Sequence, residues 1–498
     1  MTEDPTRPLP PVGPSLTART ARGFAWAFTG SVGQAVLQIV ATIVLARLLT
    51  PEEFGSVAAA LLVVGLTQLV TQLGVAAALV HRRDLTDRDV AAAFWFSMLL
   101  SVVMAASLAG FAPVLNGLVG LPADSTLLPI LSIALVLAGA IAVPTGLLQR
   151  ELRFRPMATV DLLAAGPTLI GVSVTLALLD FGALALAWAE VAAAVVKAVG
   201  YLALTRPSVR VDRTAWEGLR PMLTFGSGFS LTQVGNWFAL NADNLVVANV
   251  LGTAPLGLYT RAYNLLSEPA NVIGGAADKA LFPAMARVRD DGERLRAAYV
   301  RTSSLVALVT APAAVLLFVL APEVVHVLLG RQWDAVIPLV QVFAVALLPR
   351  TSYKISTSLT RATGAVYRAA WRQWLYAAEV VVFSLVGAHY WGVAGVAVGA
   401  SVAIMLHFLV MLRFSARVSP GLMGAVLRMY LKHVPALVAV VLATWGAAAA
   451  VRPVGLDVLT LLVGAAAAGI AALGVLALLR KRFTAELAVV GTLRKAPA

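Results

Sequence analysis

Apolar residues run through this chain in long blocks separated by short breaks rich in arginine, proline and glycine. The blocks match the ~20 residues a helix needs to cross the hydrocarbon core of a bilayer. Reading from break to break predicts helices over roughly 22–46, 54–80, 90–113, 126–148, 158–180, 183–204 and 222–250. The series continues over 256–286, 299–320, 335–361, 370–390, 393–413, 430–450 and 456–480. The eighth block is the least apolar, because it carries Arg261, Glu268, Asp278 and Lys279. Its place rests on an internal repeat.

Charge alternates with the same rhythm. Every second connection is basic: Arg82, Arg83 and Arg88; Arg150, Arg153 and Arg155; Arg206, Arg210, Arg213 and Arg220. The series goes on with Arg287, Arg289, Arg294 and Arg296; Arg361, Arg368 and Arg372; and Arg413, Arg417, Arg428 and Lys432. The intervening connections hold Arg47, Arg331 and Arg452. Basic loops stay on the cytoplasmic side, so the pattern predicts both termini inside and an even number of crossings, fourteen.

The repeat shows at two places. Ala46-Arg-Leu-Leu-Thr-Pro-Glu-Glu-Phe-Gly55 resembles Ala248-Asn-Val-Leu-Gly-Thr-Ala-Pro-Leu-Gly257, each joining a first helix to a second. Phe181-Gly182-Ala-Leu-Ala185 resembles Trp391-Gly392-Val-Ala-Gly395, each joining a fifth helix to a sixth. Six helices per copy is an even number, so both copies share one orientation. This is the plan of transporters with parallel repeats and a site between the halves. The expected fold is therefore an all-α integral membrane protein with two six-helix lobes in parallel pseudo-two-fold repeat. The expected boundaries are a disordered tail over 1–21, an N-lobe over 22–204, a linker over 205–221 and a C-lobe over 222–413. Two further helices follow over 430–480, then a cytoplasmic tail.

Composition then narrows the function. The 498 residues are 60% hydrophobic and 13% charged, with mean hydropathy +0.86. The net charge of +13 is parcelled into short loops, which argues for membrane orientation and against nucleic-acid binding. No cysteine is present, so disulfides and thiol chemistry are excluded. No lysine follows a glycine, and no histidine precedes a glutamate. A phosphate-binding loop and an H-E-x-x-H metal site are therefore absent. The expectation is a protein that is not an enzyme, without cofactor or metal.

Polar residues inside the blocks are the candidate site, since such groups face a cavity or a partner. In the eighth helix Arg261, Asn264, Glu268, Asn271 and Asp278 recur on one face. In the seventh, Gln233, Trp237, Asn241 and Asn244 do so, with Asn236 and Asp243 alongside. Gln34 and Gln38 in the first helix, and Gln68 and Gln72 in the second, form milder stripes. A water-filled cavity between the halves accounts for all four helices. The other reading of the amides is interhelical hydrogen bonding, worth about 1 kcal/mol each. Arg350 follows Pro349 near mid-membrane and is expected to meet an anionic ligand or a carboxylate, Glu379 or Asp243. Lys354 lies one turn on. Lys197 is expected to snorkel or pair with Glu190, and Asp161 to be structural. Arginine and lysine suit pyrophosphate, and amides with Trp237 suit sugars. Asp243, Glu268 and Asp278 equally suit ion coupling.

The run Ala78-Leu-Val-His-Arg-Arg-Asp-Leu-Thr-Asp-Arg-Asp89, leading into Ala93-Phe94-Trp95, resembles the loop between helices 2 and 3 of Wzx/WzxC-type polysaccharide flippases. Leu147-Leu-Gln-Arg-Glu-Leu-Arg-Phe154 resembles their loop between helices 4 and 5. Ala280-Leu-Phe-Pro-Ala284 and Leu329-Gly-Arg-Gln-Trp333 resemble markers of their second half. The resemblance spans about 20–480 and implies the multidrug/oligosaccharidyl-lipid/polysaccharide (MOP) exporter superfamily, MATE-like in fold and working by alternating access. It implies a lipid-linked oligosaccharide, on undecaprenyl pyrophosphate, as cargo in exopolysaccharide, capsule or O-antigen synthesis. It places the protein in the bacterial inner membrane, with polymerase or assembly proteins as possible partners. A cation-coupled drug exporter and a lipid II flippase are the alternatives.

Overall fold

A computed structural model describes residues 33–34, 36–72, 75–76, 79, 85–207, 219–287, 291–362 and 366–478. The expected tails, most of the linker and the start of the first span lie outside the described residues, which are helical with no strand among them. We label the main helices α1 (Val36–Leu48), α2 (Pro51–Gln72), α3 (Asp87–Gly110), α4 (Leu127–Arg150), α5 (Phe154–Leu178), α6 (Ala183–Thr205) and α7 (Leu219–Val246). There follow α8 (Thr253–Arg287), α9 (Gly292–Val319), α10 (Ile337–Ala362), α11 (366–390), α12 (393–418), α13 (Leu422–Val451) and α14 (Asp457–Leu478).

Ten stretches among the described residues are long and apolar enough to cross a membrane. The expectation of fourteen additionally counts α1, the polar helices α7 and α8, and both halves of a stretch broken at Trp391 and Gly392. Boundaries differ most near the basic loops. The expected gap over 414–429 shrinks, because α12 runs to Val418 and α13 starts at Leu422. Arginine is a good helix former, and its long stem lets a helix continue into the headgroup layer.

Local chemistry sets the starts. Before α2, Thr50 and Glu53 form reciprocal capping bonds: the Thr50 N–H donates to Glu53 Oε2 at 2.7 Å, and the Glu53 N–H donates to Thr50 Oγ1 at 3.3 Å. Pro51 opens that helix, where a missing N–H costs nothing. Thr86 and Asp89 make the same box before α3. Asp291 caps α9, accepting from the N–H groups of Glu293 and Arg294. Pro167, which has no N–H to give, sits in a widened π segment of α5, Ala164–Ile170. The two repeated glycine turns share one backbone shape: Gly182 has φ 55° and ψ −131°, and Gly392 has φ 57° and ψ −141°. Only glycine takes that conformation cheaply, which is why both copies keep it.

The chain forms two compact units. One takes the chain to Leu48 with Val63–Leu115 and Asp124–Val234. There α4 packs against α3 and α6, and α6 against α5. Small residues allow the close approach: a methyl group on Gly139 of α4 would overlap the Ser101 side chain and lie 2.8 Å from the Ser97 carbonyl. Lys197 on α6 pairs with Asp161 on α5 at 3.7 Å, and the Tyr201 hydroxyl donates to the same carboxylate at 3.0 Å. Asp161 thus takes the close contact expected of Glu190.

The other unit takes Leu49–Leu62, Asn116–Ala123 and the chain from Gly235. Its centre is α10, packed against α8, α9 and the α11–α12 pair, while α13 and α14 pack on each other and on α9. Hydroxyl pairs tie these helices, as between Tyr299 and Ser356 at 2.8 Å and Ser352 and Tyr430 at 2.9 Å. Beyond α13, Arg452 donates to both oxygens of the buried Glu323, at 2.7 and 3.3 Å, and to the Val319 carbonyl.

Replacing Gly139 with valine should force α3 and α4 apart. The expected loss is about 1–3 kcal/mol, as for other overpacked interiors, read as a lower unfolding temperature of the detergent-solubilised protein. An unchanged temperature would refute the tight contact.

Candidate functional site

The site is built on α8, whose two faces have opposite character. Tyr259, Tyr263, Leu266 and Ala270 lie on one face and are buried. Arg261, Asn264, Glu268 and Asn271 lie on the opposite face. Asn264, Glu268 and Asn271 are exposed, and Arg261 is half-buried.

The buried face closes over a charge network. The Tyr259 hydroxyl donates to Asp243 Oδ2 at 2.7 Å. Asp243 Oδ1 accepts from the Asn244 backbone N–H at 2.8 Å and from its side-chain amide at 3.3 Å. Arg350 Nη1 donates to the Tyr263 hydroxyl at 2.7 Å, and the guanidinium carbon lies 4.7 Å from that ring's centroid. The two tyrosines stack at 6.0 Å, and Phe343 meets both edge-on. Asp243 and Arg350 are 3% and 5% exposed, and each is bonded to one of the two stacked tyrosines. Of the two carboxylates considered, Asp243 is the one linked to Arg350, through the two tyrosines. Glu379 is half-buried on α11, and its Oε2 has no hydrogen-bond partner among the described residues.

One turn beyond Arg350, Lys354 reaches towards the open face. Its Nζ donates to Asn271 Oδ1 at 3.1 Å and to the Ala270 carbonyl at 3.3 Å. At the other end of the stripe, the Arg261 guanidinium lies 4.3 Å over the Phe54 ring, and its Nε is buried without a hydrogen-bond partner among the described residues. One face thus offers two cations, a carboxylate and two amides.

The remaining candidates divide. Asp243 and Asn244 belong to the buried network. Asn236 is exposed, and Trp237 and Asn241 are half-buried, with the Asn241 amide donating to the Trp237 carbonyl of its own helix. In the other unit Gln34, Gln68 and Gln233 are half-buried and Gln38 is exposed. The side chains of Gln72 and Asp278 lie outside the described residues.

Sequence reasoning missed the tyrosines. Tyr259 and Tyr263 stand four apart, facing away from the charged stripe of the same helix. That spacing was a usable signal, since a buried phenol needs a polar partner. Tyr376, stacked on His407 at 4.4 Å, and Tyr353, edge-on to His407 at 5.0 Å, extend the aromatic wall. No pattern along the chain connects these three.

Residues 44–338 match the polysaccharide biosynthesis protein family. The chain belongs to this family. It is 26% identical over 348 residues to the lipopolysaccharide biosynthesis protein WzxC of Escherichia coli (strain K12), covering 68% of each. It is 29% identical over 334 residues to the succinoglycan biosynthesis transport protein ExoT of Rhizobium meliloti (strain 1021), covering 67% of each. Its fold resembles that of the lipid II flippase MurJ in an inward closed conformation, with TM-score 0.72 and 12% identity over 92% of this chain and 99% of that one. Solved transporters of the MOP superfamily share the fold as well. The described residues are helical, and the chain is a membrane protein that shares the fold of these solved transporters.

Replacing Tyr259 with phenylalanine leaves one oxygen of the buried Asp243 without its donor. The expected cost is about 1–3 kcal/mol, seen as a lower unfolding temperature in detergent. Pairing it with Asp243→Asn should recover part of the loss; equal loss in single and double variants would refute the coupling.

Proposed function

We propose that this protein moves an undecaprenyl-pyrophosphate-linked oligosaccharide across the bacterial inner membrane by alternating access, for assembly of an extracellular polysaccharide. The observation that carries the reading is the open face of α8, where Arg261 and Lys354 flank Asn264, Glu268 and Asn271. A guanidinium and an ammonium suit a pyrophosphate, the guanidinium through paired donors and the ammonium as a point charge. Amides suit sugar hydroxyls, so Asn236 and Asn241, in the same unit as Arg261 and Lys354, are assigned to the glycan. The buried Arg350 is assigned to holding α8 through Tyr263. The polyprenyl tail stays in the bilayer, its natural solvent.

Family membership and the names of WzxC and ExoT support a role in polysaccharide export. Basic residues in alternate loops support cytoplasmic termini. Among the described residues no group of histidine, cysteine or carboxylate side chains could hold a metal ion.

The test is transbilayer movement of a labelled polyprenyl-pyrophosphate oligosaccharide in proteoliposomes. The unmodified protein should transport it. Arg261→Ala and Lys354→Ala should each slow the initial rate at least about tenfold, the effect of losing one charge-assisted contact. Unchanged rates in both variants would remove the phosphate assignment. No movement of such a lipid by the unmodified protein would remove the function.

A further inference from the structure

Where the connection between α9 and α10 meets the start of α14, one histidine stands between two carboxylates. His326 belongs to the short helix Ala321–Leu328 that follows α9. Its Nε2 lies 2.8 Å from Asp334 Oδ1, in the tight turn Arg331–Val336. Its Nδ1 lies 3.2 Å from Oδ2 of Asp457, the first residue of α14. A neutral imidazole has one N–H, and an ionised carboxylate has no proton to give. Both contacts are hydrogen bonds only when the ring carries two protons, so the arrangement selects the imidazolium. The ring is 18% exposed and still exchanges protons with water.

The neighbouring charges decide what this bond holds. Arg331 Nη2 lies 3.8 Å from the same Asp457 oxygen, but its side chain is 78% exposed, so it is a weak substitute. Glu323, one turn before His326 on the same helix, is occupied by Arg452 from the far end of α13. The short helix therefore grips the α13–α14 hairpin at two points. Arg452 keeps its charge at any physiological pH. His326 grips α14 with both nitrogens engaged only while protonated. Apolar packing beside these bonds brings Leu320 and Val324 against Ala448 of α13, and a methyl group on Gly464 of α14 would lie 2.8 Å from Leu320 Cδ1. When the ring gives up a proton, the shorter contact keeps the one that remains. Nε2 stays bonded to Asp334, and Nδ1 turns a lone pair on Asp457, so attraction there becomes repulsion.

We propose that His326 is a pH-operated clasp, which fixes the start of α14 to the α9–α10 connection when protonated and releases it when neutral. The hold is complete at low pH and is lost as the pH rises through the range of about 5 to 8 in which histidines titrate. The permanent Arg452–Glu323 pair then acts as the pivot about which α14 loosens. The clasp goes beyond the transport reading and does not depend on the cargo. In the orientation proposed from the basic loops it faces the extracytoplasmic side.

The chain contains no cysteine, so a single reporter thiol can be introduced. Thr460 is buried one turn into α14. Maleimide labelling of Thr460→Cys is followed in the detergent-solubilised full chain with His326 intact, with His326→Gln and with His326→Lys. Proteins are compared at one pH at a time, so the titration of the thiol itself cancels. At about pH 5.5 the protein with His326 should label about fivefold more slowly than the glutamine variant, and at about pH 8.5 the two should agree. The lysine variant, a cation throughout, should label slowly at both. A ratio between the histidine and glutamine proteins that does not change with pH would overturn the clasp. Lysine labelling as fast as glutamine at both pH values would overturn it too.

Discussion

An ionised group inside hydrocarbon must be answered by another group, and the C-terminal unit is arranged around one such answer. Asp243 on α7 and Arg350 on α10 are brought within reach of each other by Tyr259 and Tyr263 of α8, each phenol bonded to one of the charges. The three helices cannot shift independently without exposing a charge to lipid, where it is costly. This fixes the rotation of α8 about its axis. Once the tyrosine face is held inward, the opposite face, with Asn264, Glu268 and Asn271, has to be the open one.

The network therefore separates two kinds of polar residue that look alike along the chain. Asp243, Asn244 and Arg350 serve the packing of the unit. Glu268 and Asn271 lie on the open face of α8, with Arg261 and Lys354 at its two ends. Lys354 follows Arg350 by one turn on the same helix, yet its amine reaches Asn271 and the Ala270 carbonyl at the edge of the open face. One turn of helix is enough to move a cation from the buried network to the edge of the open face.

Glycine plays two parts in this architecture. At Gly182 and Gly392 it supplies a positive φ that turns the chain between helices. At Gly139, Gly55 and Gly257 it supplies the absence of a side chain, so that helices meet closely. Without a hydrophobic driving force between helices, such contacts carry much of the association in a bilayer.

The sequence by itself determined the membrane class, most of the helices and the matched glycine turns. These follow from one-dimensional signals: the length of apolar blocks, the alternation of basic loops, and glycines recurring in matched turns. It also marked α7 and α8 as the polar helices and named Arg261, Lys354, Asn264, Glu268 and Asn271 from their spacing. Only the tertiary structure decided that Arg350 faces Asp243 across two tyrosines, that Lys197 pairs with Asp161, and that Gly55 meets Gly257. Each joins residues on different helices, and helical periodicity fixes which residues share a face, not which neighbour that face will meet.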